Sequence, residues 1–205
     1  MGAALVQKLL TTLKSMKWPE TPIATAHGFQ TYQVGLAKAI AFKGNPKALA
    51  AALRTFQTGD SRPYAFAGIA YVFVQASREK DGSYDPVGLE AAMAWLEKAQ
   101  EMEPDKIAIN MIEALIYTNN GRFDDARLVL DYLTQQEPEN QYLLLAEIVY
   151  WQRRGEVNEA VKWFHKAMEN AVTVPERLQL RHRLGDYFME IGNLDKALEV
   201  FQEAV

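Results

Sequence analysis

Residues 114–138 read ALIYTNNGRFDDARLVLDYLTQQEP. Here a small residue, Ala114, is followed at set intervals by Tyr117, Gly121, Ala126, Leu130, Leu133 and Pro138. Thirty-four residues further on, Ile148, Trp151, Gly155, Ala160, Phe164 and Ala167 stand in the same places. Gly185, Phe188, Gly192, Ala197, Phe201 and Ala204 keep the internal spacing a third time, after three extra residues around Val174 and Pro175. Several spacings recurring together mark a repeat architecture, in which each unit buries its apolar side against its neighbours.

Working upstream, Gly68 and Tyr71 supply the first half of another unit, and Ala92, Leu96, Ala99 and Pro104 the second. A twelve-residue insertion that includes Lys80–Asp85 separates the halves. A fifth, weaker copy spans residues 26–61, with Gly44, Asn45 and Pro46 at its turn and Ala48, Leu49, Leu53 and Phe56 beyond it. Each half-unit has apolar residues three and four apart, the period of an amphipathic helix, so each unit is expected to be a helical hairpin. The punctuation agrees. Asn45-Pro46 and Asp85-Pro86 place an N-cap before a proline that is tolerated in the first turn. Gly121, Gly155 and Gly192 stand where a helix stops in a left-handed residue. Ala92, Ala126, Ala160 and Ala197 fall where two helices approach closely.

This pattern resembles the tetratricopeptide repeat, a helix-turn-helix unit with a Gly/aromatic signature in its first helix and an Ala/aromatic/Ala/Pro signature in its second. The resemblance covers residues 26–204. It implies an all-α fold, a right-handed superhelix of about five stacked antiparallel hairpins whose first helices line a concave groove that holds partner segments. The expected organisation is an N-terminal amphipathic helix and Pro-containing linker over 1–22, then a repeat domain over 23–205. Its units fall at about 26–61, 62–106 with an insertion at 78–86, 107–140, 141–177 and 178–205.

Composition narrows the function. The chain has 205 residues, 49% of them hydrophobic and 23% charged, which suits a packed protein and excludes disorder throughout. With no cysteine, disulfides, thiolate metal sites and cysteine nucleophiles are all excluded. His27, His165 and His182 occur in no metal-binding spacing, and no phosphate loop, nucleophile elbow or dinucleotide fingerprint is present. Asp124, Asp125 and Asp195 begin second helices, where a carboxylate complements the helix dipole. Asp81, Ser83 and Asp85 alternate like the start of a calcium loop, but no suitably placed Gly and terminal Glu follow. No catalysis, cofactor or metal is therefore expected. Residues 1–60 hold seven Lys/Arg against two Asp/Glu, and the remainder fifteen against twenty-four. An acidic repeat body repels phosphates, so nucleic acid is not an expected partner. The N-terminus has no secretory-signal pattern, and the expected location is cytoplasmic.

If the first helices run as the resemblance implies, the groove is lined by Ala65, Ile69 and Val72, then by Ala108, Met111 and Leu115, then by Tyr142, Leu145 and Val149. The last unit presents Gln179, His182, Asp186 and Glu190, so the lining changes from apolar to acidic. The Lys, Asn and Arg with which the best-known family members clamp a terminal carboxylate are missing from these places. The competing reading is that the apolar row is ordinary core.

The N-terminal segment gathers Leu5, Val6, Leu9, Leu10, Leu13 and Met16 on one side of a helix and Lys8 and Lys14 on the other. Three destinations for residues 3–17 follow, in order: a lid over the chain's own groove or first hairpin, a second copy, and a membrane surface. The lid would cover Ile69, Met111, Leu115, Leu145 and Val149. The expected function is a non-catalytic scaffold that binds a protein or peptide segment. The alternatives are a homo-oligomeric assembly module, suggested by Phe201, Ala204 and Val205 ending the last helix, and a repeat fragment of a larger enzyme or regulator.

Overall fold

Capping side chains set the helix boundaries where the sequence marks them. Asn45 accepts a hydrogen bond from the Lys47 N–H at 3.1 Å and Asp85 one from the Val87 N–H at 3.4 Å, each just before a helix that begins with proline. A computed structural model describes residues 2–40, 42 and 44–203. Its helices are α1 (Gly2–Leu13), α2 (Ala26–Ile40), α3 (Pro46–Thr58), α4 (Arg62–Ser77), α5 (Pro86–Gln100), α6 (Ile107–Asn119), α7 (Phe123–Gln136), α8 (Gln141–Arg154), α9 (Val157–Asn170), α10 (Val174–Glu190) and α11 (Leu194–Gln202). Among the described residues the fold is all-α, and after one extra N-terminal helix α2 pairs with α3, α4 with α5, α8 with α9 and α10 with α11. Among the described residues the sole β feature is an isolated bridge between Arg78 and Tyr84. The helices form two compact units that meet within α7, one through Val129 and the other from Leu130.

Unit 1 is built around α4. Residues 63–77 contain no charged side chain, and a helix apolar on every side is stable only when it is covered on every side. It is: α1, α2, α3, α5 and α6 all pack against it. Phe56 of α3 fits because Gly35 of α2 and Gly68 of α4 both lie against its ring, and a Cβ on either would collide with it. Phe29, Tyr32 and Tyr64 join this aromatic group, with Tyr32 and Tyr64 stacked at 5.3 Å.

Helix α1 buries Val6, Leu9 and Leu13 against α4 and α5. Val6 sits beside Gly88, where a side chain would not fit, and the Gly2 N–H donates to Glu79 Oε1 at 2.9 Å. The linker continues the contact. Trp18 meets Phe66 and Trp95 edge-on at 6.4 and 5.8 Å, and the Arg62 guanidinium donates to the carbonyls of Pro19 and Glu20. The expected lid thus lies on its own chain but on the second hairpin, where Gly88 and the Phe66–Trp95 shelf provide the seat. Val6, Leu9 and Leu13 of its apolar side are covered there, while Leu5, Leu10 and Met16 are half-buried.

The insertion at 78–86 is a tight loop. Glu79 N–H donates to the Ser83 carbonyl at 2.9 Å and Asp85 N–H to the Ser77 carbonyl at 2.8 Å, and Gly82 takes the left-handed conformation at the tip. Asp81 accepts from both the N–H and the hydroxyl of Ser83, and the hydroxyl holds its carboxyl below the ordinary value. The Asp/Ser alternation therefore makes a turn.

In unit 2, α8–α9 and α10–α11 share one core of Leu144, Ile148, Phe164, Leu184, Tyr187 and Phe188, with Ala160 and Ala197 at the close approaches. Gly155 ends α8 in the left-handed region at φ 74°. The three extra residues near Val174 lengthen a helix: α10 has 17 residues where α8 has 14. Thr173 starts it with a reciprocal cap, accepting from the Glu176 N–H at 3.3 Å while its own N–H donates to Glu176 Oε2 at 3.0 Å. Ala204 and Val205 lie outside the described residues. Among the described residues no helix is long and apolar enough to cross a membrane.

Candidate partner-binding site

The thirteen residues expected to line a groove divide by unit, and Gln179 of α10 is exposed. Ala65, Ile69 and Val72 of α4 are buried, Ile69 and Val72 completely. Five helices around α4 leave no open side for them to line. Ala108, Met111 and Leu115 of α6 are buried as well. Ala108 is tied down from across unit 1, since the Tyr32 hydroxyl donates to its carbonyl at 2.8 Å. For these six the reading as ordinary core is the one that fits, and the open apolar row does not extend over them. The space beside Tyr32, Phe56, Tyr64 and Ala65 is too small for a water molecule.

Unit 2 differs. Tyr142, Leu145 and Val149 of α8 are each half-buried, with Leu145 resting on the core while keeping an outer surface. Helical spacing sets these three on one side of α8, beside the buried Leu144 and Ile148 and opposite the buried Leu143, Glu147 and Tyr150. The next residues along that side, Gln152 and Arg153, are half-buried and exposed. On α10, His182 and Glu190 are exposed and Asp186 is half-buried. The His182 ring lies 5.9 Å from that of Phe201. Met189, 51% exposed, stands on the same side of α10 and was missed in the sequence reading, although its place three residues after Asp186 is legible there.

Tyr187 is buried, and its hydroxyl meets no hydrogen-bond partner. Burial first, and then the charge of Glu190, push its ionisation above the ordinary tyrosine value. At the end of α8, Glu147 is fully buried and accepts from Trp151 Nε1 at 3.1 Å, while the Arg154 guanidinium lies over the Tyr150 and Trp151 rings and donates to the Tyr150 hydroxyl. This polar-aromatic group lies on the side of α8 away from Tyr142, Leu145 and Val149, and Arg153 and Arg154 complement the negative end of the helix. In unit 1, Tyr117 is also held above its ordinary value, by burial first and then by Glu113, and Arg122 stacks on its ring at 4.4 Å. Among the described residues no cluster of three or more His, Asp or Glu could hold a metal ion.

A family profile described as tetratricopeptide repeat matches residues 178–205, which are α10 from Leu178 onward and α11. No curated protein sequence matches the chain. Among solved structures, the chain is similar to residues 41 to the end of MamA from Desulfovibrio magneticus RS-1, at 11% identity over 89% of this chain and 95% of that one, with a TM-score of 0.46. MamA of strain MSR-1 gives 17% identity over 88% and 95%, with a TM-score of 0.44. MamA of strain AMB-1 gives 16% over 88% and 98%, with a TM-score of 0.42.

Proposed function

We propose that this chain is a repeat protein of the tetratricopeptide type and a non-catalytic scaffold that holds a segment of another protein on the outer side of α8 and α10. The observation that carries the reading is the half-buried row Tyr142, Leu145 and Val149, on a helix that supplies Leu144 and Ile148 to the core. Apolar anchors at this spacing suit an amphipathic helix or an extended segment whose side chains dock at intervals. Tyr142 is of a residue type enriched at interface hot spots. Asp186 and Glu190 on α10 would favour a segment whose apolar residues are flanked by Lys or Arg, with binding that weakens as salt is raised.

Capture from the native host with the full chain tests this, with Leu145→Asp and Val149→Asp run beside it. Both variants must first give wild-type circular dichroism, since Leu145 also touches the core. The expected result is a partner lost from both folded variants and retained by Arg54→Glu on the exposed surface of α3. A partner kept undiminished by Leu145→Asp and Val149→Asp would remove α8 as the site.

A further inference from the structure

The second helices share an outward side, and α7 departs from the others there. Each is anchored by a buried alanine: Ala52, Ala92, Ala126, Ala160 or Ala197. Two residues after it, α3, α5, α9 and α11 carry Arg54, Ala94, Lys162 and Glu199, all exposed. One turn further along the same side they carry Thr58, Lys98, Lys166 and Glu203. At both places the repeat thus sets small, polar or charged side chains. Helix α7 sets Leu128 and Tyr132 there, 70% and 52% exposed.

A single exposed apolar side chain on a protein surface is ordinary. Two of them a turn apart, at a place that the other second helices give to smaller or more polar residues, make a stripe on one helix. Its flank is acidic. Asp124 stands four residues before Leu128 and Asp131 three after it, both exposed. Among the exposed residues of α7 none is basic, and the whole helix holds three Asp against Arg127, which is half-buried.

We infer that this stripe docks a basic amphipathic helix of another protein, whose apolar residues meet Leu128 and Tyr132 and whose Lys or Arg side chains reach Asp124 and Asp131. Two helices pack through residues three and four apart on each, and Leu128 and Tyr132 have that spacing. Charge disfavours two other occupants. The α7 of a second copy would bring carboxylates against carboxylates, and an anionic membrane would face the same repulsion. The stripe is short, so the contact is weak and loosens as salt is raised. It lies on a different helix from Tyr142, Leu145 and Val149 and does not rest on the reading of α8 and α10.

Photocrosslinking on the full chain tests it. The probes are a photoreactive helical peptide with leucines three and four apart between lysines, and its twin with glutamate for each lysine. The lysine peptide should attach within residues 123–136, as read by mass spectrometry of the digested product, and the glutamate twin about tenfold less or weaker still. Leu128→Gln and Tyr132→Gln, both at exposed positions, should each lower attachment to α7 about tenfold or more. Leu145→Asp should leave attachment to α7 unchanged, so this contact and the site on α8 stand or fall separately. Attachment of the lysine peptide only outside α7 overturns the inference, as does attachment to α7 that is indifferent to Leu128→Gln and Tyr132→Gln. A chain whose mass in light scattering exceeds one copy and falls to one copy with Leu128→Gln also overturns it, because the occupant is then a second copy.

Discussion

Ile69 in unit 1 and Val149 in unit 2 hold the same place in their repeats, one residue after the position occupied by Gly68 and Ile148. Ile69 is fully buried and Val149 is half-buried. The difference comes from the surroundings. Helix α4 is enclosed by α1, α2, α3, α5 and α6, and α1 and its linker have no counterpart among the repeats. A repeat position thus specifies which way a side chain points, and the number of neighbouring helices determines whether anything can reach it.

Substitution by charge should separate the two most widely. Ile69→Asp puts a carboxylate where five helices exclude water and should unfold unit 1, a loss of about 4 kcal/mol or more. Phe56→Ala should cost about 3–5 kcal/mol, because the ring fills the space between Gly35 and Gly68. Val149→Asp, by contrast, should cost about 1 kcal/mol or less. Urea denaturation measures all three. Equal losses at Ile69 and Val149 would break the comparison.

The seat of α1 gives a middle-sized effect. Leu9→Ala should lower stability by about 2–3 kcal/mol, since Leu9 is buried against α4 and α5. A chain beginning at Thr21 should melt at lower temperature and bind a hydrophobic dye, as Phe66 and Trp95 lose the cover of Trp18. An unchanged melting temperature would show that α4 does not depend on its extra neighbour. The corresponding local device in unit 2 is weaker: Thr173→Ala removes one cap of α10 and should cost about 1 kcal/mol.

The smallest effect belongs to Tyr187. Its hydroxyl is buried without a partner, so Tyr187→Phe should be neutral or slightly stabilising at neutral pH. The difference should grow in alkali. Tyr187 and Tyr117 are both raised above 10.0 in the folded chain, so the unfolded chain loses those protons first. The unfolded state then binds fewer protons, and stability falls as pH rises past about 10. Melting temperatures from pH 8 to 11 should show a shallower decline for Tyr187→Phe than for the wild type. Parallel curves would mean that Tyr187 does not resist ionisation.

Much of this was legible before any coordinates. Helix caps at Asn45 and Asp85, left-handed stops at Gly121, Gly155 and Gly192, and the alanines of the second helices depend on contacts within a turn or on one close neighbour. A repeating pattern states such contacts directly. The burial of α4 was legible too, in its uncharged run from 63 to 77, but that signal says only that the helix is covered and not by what.

Coverage was decided by tertiary structure. The amphipathic pattern of residues 3–17 defines an apolar side with no address. The address comes from Gly88 and from the Phe66–Trp95 shelf, far along the chain. In the same way Ala65 and Leu145 look alike as apolar residues of first helices, yet one is enclosed and the other keeps a surface. Periodicity records the direction of a side chain because backbone geometry is local. Exposure depends on how many distant segments converge on that direction, and no single stretch of sequence contains that sum.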